Sequence, residues 1–253
     1  MFMAVALIFL LVGLFVGSFL NVLIFRFPEM KGLVSGRSYC PHCKKTIAWF
    51  DLIPVASYII LWGKCRNCRK QISLQYPLVE ISTGIVFFFL AKTIGVDYPL
   101  IGYLLIACVS MLIFVYDAKF LEIPEVFSWL LLISAIVLTV LSSSFSINDF
   151  LLGGLIGGGV LGIMVGISEE RMMGSGDIKI GLAFGFLLGA HRSILFLFLS
   201  FIIGAIVGLI LMMSSKKKVQ SEIAFAPFLI IAALICIIWG NQLVNLCQKF
   251  AMI

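Results

Sequence analysis

Long apolar runs alternate with short polar stretches along almost the whole chain. Eight runs have a length and composition suited to crossing a bilayer, at about 3–25, 77–95, 98–116, 125–142, 149–167, 178–190, 192–213 and 223–239. The sixth run is short, and an alternative is that 178–213 forms one long bent element. The pattern predicts an all-α polytopic membrane protein with about eight transmembrane helices.

The first apolar run has the position of a signal peptide but not its other features. It has no basic residue before its apolar core, it is long, and no small-x-small cleavage pattern follows it. We therefore expect a first span that stays in the mature protein.

One longer polar segment, at 27–76, interrupts the membrane pattern, and it divides the chain into a first span (1–26), a small cytoplasmic segment (27–76) and a membrane-embedded domain (77–253). Within it, DLIPVASYIILWG (51–63) is too short to span the membrane comfortably. We expect that stretch to pack on the membrane surface or against the spans. The Gly-rich LLGGLIGGGVLG (151–162) indicates close contact between helices rather than catalysis.

Composition and charge agree with a membrane protein and give its orientation. Hydrophobic residues make up 62% of the 253 residues and charged residues 12%, which is too apolar for a soluble domain. With eight spans, 15 of the 18 basic residues fall in loops on one side, and basic loops stay in the cytoplasm. Both termini are then outside. The net charge of +6 follows from this bias, so no nucleic-acid partner is expected.

Four of the seven cysteines form two pairs, Cys40-x-x-Cys43 and Cys65-x-x-Cys68. Two such pairs supply a closed tetrahedral thiolate site for Zn²⁺, which would be structural because no coordination position stays open. The 21 residues between the pairs slightly exceed the commonest spacing. Two disulfides or a redox pair are the alternative, which a reducing cytoplasmic loop disfavours.

Two aspartates lie where apolar runs meet cytoplasmic loops, and such costly groups require an explanation. Asp117 ends one run, and Asp177 follows Gly174 and Gly176 as another begins. Two carboxyl groups at one depth can share a proton, so that one acts as base and the other as acid in peptide hydrolysis.

The residues alone leave other interpretations of these acids open. Asp117 and Asp177 could cap helices or pair with Lys119 and Lys179. Glu80, at the start of the second span, could cap a helix or reach the site, and we favour a structural role for it. A transporter with acids near mid-membrane, or an inactive scaffold built around the zinc segment, are the competing functions.

Several motifs, in order along nearly the full chain, resemble the bacterial type IV prepilin peptidases, also called leader peptidase/N-methyltransferases. They are GSFLNVLIFRFP (17–28), the cysteine segment, QISLQYPLVEISTG (71–84), Asp117 with its D-x6-P-[acid] pattern, GSGDIK (174–179) and IAFAPFL (223–229). The acid after the proline is commonly Asp in this family and is Glu125 here.

This resemblance implies an enzyme of the bacterial inner membrane that removes the basic leader of prepilins or pseudopilins at the cytoplasmic face, after a glycine. It implies Asp117 and Asp177 as the catalytic pair, with Gly174, Gly176, Lys179, Glu125 and Glu80 as candidates for shaping the site. It also implies a possible methylation of the new N-terminus with S-adenosylmethionine. The loop acids Glu122, Glu169 and Glu170 are open to solvation or to contact with the basic leader.

Overall fold

The protein, described by a computed structural model, is helical throughout the residues that the structure describes, which are 2–27, 36–142, 146–169, 173–213 and 223–251. Those residues contain no β-strand, only two isolated β-bridges. The helices are α1 Phe2–Arg26, α2 Ala56–Ile60, α3 Gln75–Ile94, α4 Tyr98–Phe120, α5 Glu125–Val140, α6 Ile147–Gly154, α7 Val160–Ser168, α8 Ser175–Met213 and α9 Ala226–Ala251. The predicted all-α class is confirmed.

All eight predicted spans coincide with helical segments. Five helical stretches are long and apolar enough to cross a membrane: Met3–Arg26, Gln75–Ile94, Tyr98–Phe120, Ile147–Ser168 and Ser175–Met213. The apolar helices Glu125–Val140 and Ala226–Gly240 are shorter. The sixth and seventh predicted runs both lie in α8, which Gly189 breaks with φ +74°, so 178–213 is one bent element made of two helical pieces.

The chain forms two compact units, Met1–Leu100 and Ile101–Ile253. In the first unit α1 and α3 pack antiparallel. Gly13 lies against Gly84, Gly17 lies against Glu80, and the side-chain amide of Asn21 donates to the Tyr76 carbonyl at 3.1 Å. The contacts at the two glycines leave no room for a Cβ, so the glycines set how closely the helices approach.

Between α1 and α3, residues 38–47 and 63–72 form two turns with the same hydrogen bonds, offset by 25 residues. The amide of Cys40 donates to Lys45, and that of Cys65 donates to Lys70. A 3₁₀ turn, Trp49–Leu52, and the short helix α2 separate the two turns. Neither of these elements contains a buried residue, so the segment has little core of its own.

In the second unit α8 packs against α5, α6 and α9. A π-helical turn, Leu155–Gly159, joins α6 to α7. Added Cβ atoms at Gly153 and Gly157 would overlap the carbonyl oxygens of Gly185 and Gly181 on α8. The predicted role of the Gly-rich stretch in close helix packing is confirmed.

The break in α8 has a specific partner. The Asp149 carboxylate accepts a hydrogen bond from the amide of Ala190 at 2.9 Å and fills the space where a Cβ of Gly189 would lie. Glycine is the residue that adopts this φ without strain. Asp149, expected to be merely solvated, instead caps the second helical piece of α8.

Candidate active site and metal centre

Asp117 lies four residues from the C-terminal end of α4 and is 5% exposed. Its Oδ2 accepts a hydrogen bond from the backbone amide of Ala226, the first residue of α9, at 3.1 Å. The amides at a helix N-terminus have no partner within the helix, so a carboxylate there is well placed. The α9 N-terminus therefore fixes one oxygen of Asp117.

Asp177 is the third residue of α8 and is 4% exposed. Its backbone amide donates to the carbonyl of Gly174 at 3.1 Å. Its side-chain Oδ1 is buried and has no hydrogen-bond partner among the residues that the structure describes. Buried polar atoms are nearly always satisfied, so this oxygen is free to meet a proton, a water or a substrate group.

The structure brings the two predicted aspartates into one region of the second unit. Their carboxyl groups are near enough for their charges to interact. Both lie at the ends of helices rather than near their middles, which disfavours the transporter interpretation. The alternative of helix capping is half met, because Asp117 does accept the α9 amide.

Lys179 and Glu125 form an ion pair with each other. The Lys179 ammonium lies 2.8 Å from Oε1 of Glu125 and 4.9 Å from the centre of the Trp129 ring, whose Nε1 donates to Glu125 at 3.3 Å. Lys119, the other predicted partner, lies over the Phe120 ring at 5.1 Å. The Lys179–Glu125 pair joins the start of α8 to the start of α5 and so positions the turn that carries Asp177.

The two glycines before Asp177 differ. A Cβ at Gly176 would lie 3.0 Å from Cβ of Ile123, tighter than an ordinary contact, whereas one at Gly174 would meet no atom closer than 4.0 Å. The close approach predicted at the glycines therefore applies to Gly176. Nothing in the sequence pointed to Ile123, Trp129 or the Ala226 amide, because packing partners and backbone donors have no residue signature.

Glu80 is 7% exposed and has a structural partner in its own unit. Its Oε2 accepts the backbone amide of Val55 at 2.8 Å, and the Ser18 hydroxyl also hydrogen-bonds to it. Val55 has φ +60°, a strained conformation for a β-branched residue. The carboxylate holds that backbone in place, in agreement with the structural role favoured for Glu80.

The four predicted metal ligands come together at the two matching turns. The Sγ atoms of Cys40, Cys43, Cys65 and Cys68 all lie within 4.8 Å of one another, and those of Cys40 and Cys68 are 3.8 Å apart. A tetrahedral zinc site with Zn–S bonds of about 2.3 Å requires an S–S separation of about 3.8 Å. The cluster could therefore hold a metal ion of that size.

Hydrogen bonds make these thiols unequal. Burial raises the pKa of the Cys40 thiol, but hydrogen bonds from the Cys43 and His42 backbone outweigh it and bring it to about 7. At Cys68 a backbone hydrogen bond from Lys70 lowers the pKa, while burial and contacts with the other thiols raise it to about 11. One thiol is thus disposed to ionise first, as metal binding requires.

Two of the three loop acids can be placed. Glu122 and Glu169 are exposed, and Glu169 ends α7 with φ +49°. Glu170 lies outside the described residues, as do Glu29 and the basic residues Lys31, Arg171 and Lys216–Lys218 that entered the charge count. Both described acids therefore remain open to either interpretation.

Comparison with known proteins gives matches over most of the chain. Residues 11–94 match the bacterial peptidase A24 N-terminal domain, and residues 104–209 match the type IV leader peptidase family. One match falls in each compact unit. No solved structure matches the chain.

Curated relatives cover nearly the full length. A prepilin leader peptidase/N-methyltransferase of Aeromonas hydrophila is 30% identical, over 92% of this chain and 90% of the relative. Proteins of the same name from Pseudomonas aeruginosa and Bacillus subtilis are 29% and 28% identical, over 96% and 95% of this chain and 93% and 96% of the relatives.

Proposed function

The chain belongs to the type IV leader peptidase family, and on that premise we propose that it is a membrane aspartic endopeptidase that removes the basic leader of prepilins or pseudopilins after a glycine. The observation that carries this proposal is the pair of buried carboxyl groups, Asp117 and Asp177, at the ends of α4 and α8.

The two carboxyl groups would work as an acid and a base. Neighbouring carboxylates share one proton because two negative charges at close range repel each other. The ionised group takes a proton from water, whose oxygen attacks the peptide carbonyl carbon, while the protonated group donates to the carbonyl oxygen. Collapse of the intermediate then breaks the C–N bond, and the nitrogen leaves with a proton.

Hydrogen bonding divides the work of positioning. Oδ2 of Asp117 is held by the Ala226 amide, whereas Oδ1 of Asp177 has no described partner. Asp177 is therefore the group better placed to meet the water or the scissile carbonyl. The shared proton belongs to the pair, and neither aspartate is assigned it.

We place this site at the cytoplasmic face of the bacterial inner membrane. The charge distribution puts the loops beside Asp117 and Asp177 on the basic side, which stays in the cytoplasm. A prepilin held by its apolar helix would keep its basic leader on that same side. Its cleavage point would then lie at the membrane boundary, level with the helix ends that carry the aspartates.

The four-cysteine cluster is proposed to bind Zn²⁺. Its four thiols and the 3.8 Å separation of Cys40 and Cys68 fit a closed tetrahedral site. Bound zinc would stabilise a segment whose 3₁₀ turn and α2 bury no residue. Its role would be structural.

N-methylation of the new N-terminus, with S-adenosylmethionine as donor, is a proposal that rests on the printed names of the relatives. The described residues contain no Gly-rich strand–loop–helix nucleotide motif. They do not show a fit to this cofactor, so no step is derived through it.

Co-expression with a prepilin tests the peptidase. Asp117→Asn and Asp177→Asn should each abolish leader removal, seen as a missing gel shift, since Asn cannot exchange the proton. Asp97→Asn, the same change at an exposed residue, should process normally and serves as the control. Normal processing by either site variant would disprove the pair, and mass spectrometry of the product N-terminus tests methylation in the same sample.

A further inference from the structure

The loop between the two cysteine turns, residues 49–62, exposes a large apolar surface. Trp49 is 79% exposed and Trp62 is 87% exposed. Other exposed apolar side chains of this loop, here called the apolar loop, are Phe50, Leu52, Ile53, Ile59 and Ile60. Contiguous apolar surface of this kind on a polar segment is uncommon in contact with water and indicates an interaction site.

The apolar loop is held close to a membrane face. Because α1 and α3 pack antiparallel, the Arg26 end of α1 and the Gln75 end of α3 lie at the same face. The loop lies in the connection between those two ends. At the start of α3, Leu74 and Leu78 are 65% and 62% exposed, and they continue the apolar surface from the span towards the loop.

The charge around the apolar loop suits an anionic surface. Residues 36–74 contain seven basic residues and one acid, Asp51. Arg66 neutralises that acid with a bidentate contact at 2.6 and 2.9 Å, and its guanidinium lies 5.2 Å from the centre of the Phe50 ring. Basic groups beside exposed aromatic rings are the composition that favours an anionic lipid–water interface.

We propose that the apolar loop inserts into the headgroup region of the leaflet at the Arg26 end of α1. Its tryptophan and isoleucine side chains enter the acyl boundary, and Lys44, Lys45 and the other basic residues of the turns contact anionic headgroups. The cysteine turns thereby present a membrane-surface element. The inference does not depend on peptidase activity.

Fluorine NMR of the whole protein tests the insertion. The four tryptophans are labelled with 5-fluorotryptophan, the protein is placed in nanodiscs rich in phosphatidylglycerol, and the signals are assigned by single Trp→Phe changes. A lipid with a nitroxide near its headgroup should broaden the Trp49 and Trp62 signals several-fold more than a water-soluble gadolinium chelate does.

Stronger broadening of either signal by the aqueous chelate would overturn the proposal, since the loop would then face water. Protection of either signal from both agents would also overturn it, because protein, such as a second copy or a substrate, would then cover the loop. Trp129 on α5 and Trp239 on α9 serve as internal references within the same sample.

The charge component is tested separately. Lys44→Gln combined with Lys45→Gln, and the unchanged protein in phosphatidylcholine discs, should each reduce the lipid-dependent broadening of Trp49 and Trp62 several-fold. The reference signals should stay the same. Undiminished broadening in both cases would overturn the contact with anionic headgroups.

Discussion

The metal centre and the aspartate site of this molecule are built in opposite ways. The four thiols lie on two short turns, each held by local backbone hydrogen bonds, in a segment with almost no buried side chains. The two aspartates are separated by 60 positions and meet only because α4, α5, α8 and α9 pack through buried residues such as Ile113, Ile180 and Leu229. Ligand spacing therefore determines the first site, and helix packing determines the second.

Removing the metal ligands should have the largest effect, and it should be confined to the first site. Cys65→Ser combined with Cys68→Ser should abolish stoichiometric zinc, because structural zinc sites contribute about 10–16 kcal/mol in small zinc domains. Mass spectrometry of the metal content and hydrogen exchange over 36–72 measure this. Cys108→Ser, a cysteine outside the cluster, should keep its zinc; retained zinc in the double variant would contradict the site.

Filling a glycine contact should do the reverse and damage only the second site. Gly157→Ala would push α8 away, since its Cβ would overlap the Gly181 carbonyl, and overpacking of this kind costs about 1–3 kcal/mol. Gly162→Ala, where a Cβ meets nothing within 4 Å, is the control and should be neutral or slightly stabilising. Melting temperature, prepilin cleavage and zinc content are compared, and equal melting of the two variants would refute the packing account.

Glu80 connects a membrane helix to the cysteine segment, so changing it should have an intermediate effect. Glu80→Ala leaves the Val55 amide without its acceptor, a loss of about 1–3 kcal/mol in local stability. Glu80→Gln keeps an acceptor oxygen and should lose less. Faster amide exchange over 53–60 in the Ala variant, with bound zinc retained, is the expected result; identical exchange in both variants would argue against the anchoring role.

Gly176→Ala should have the smallest effect and should act on rate rather than stability. The added Cβ, 3.0 Å from Ile123, must shift the turn before Asp177 by a few tenths of an ångström. The loss of cleavage rate should stay below the roughly 100-fold that a displacement of about 1 Å can cause. Gly174→Ala, in open space, should leave the rate unchanged; a larger loss there would assign the glycines the opposite roles.

The sequence predicted well what depends on periodicity and spacing. Apolar run lengths located every helix that contains a predicted span, and the paired Cys-x-x-Cys spacing located all four thiols of the cluster. Both signals are local, because a helix or a two-residue turn is specified by residues that are neighbours in the chain.

Features that depend on tertiary contacts were not predictable in this way. Lys179 and Glu125 could be named as candidates, but their pairing with each other and with Trp129 follows from how α5 meets α8. The Ala226 amide that binds Asp117 carries no residue signature, and the capping of Gly189 by Asp149 joins positions 40 residues apart. The positive φ of Val55 is equally invisible in a β-branched residue type.

The 25-residue offset between the two cysteine turns gives metal loading an order in time. Each turn places two thiols by its own hydrogen bonds, so either turn can capture the ion before the other arrives. The loop between Cys43 and Cys65 then needs only to close, and closure of loops of about ten residues takes about 10–100 ns. Assembly of this segment would therefore be limited by the exchange of ligands at the metal, not by the search of the chain.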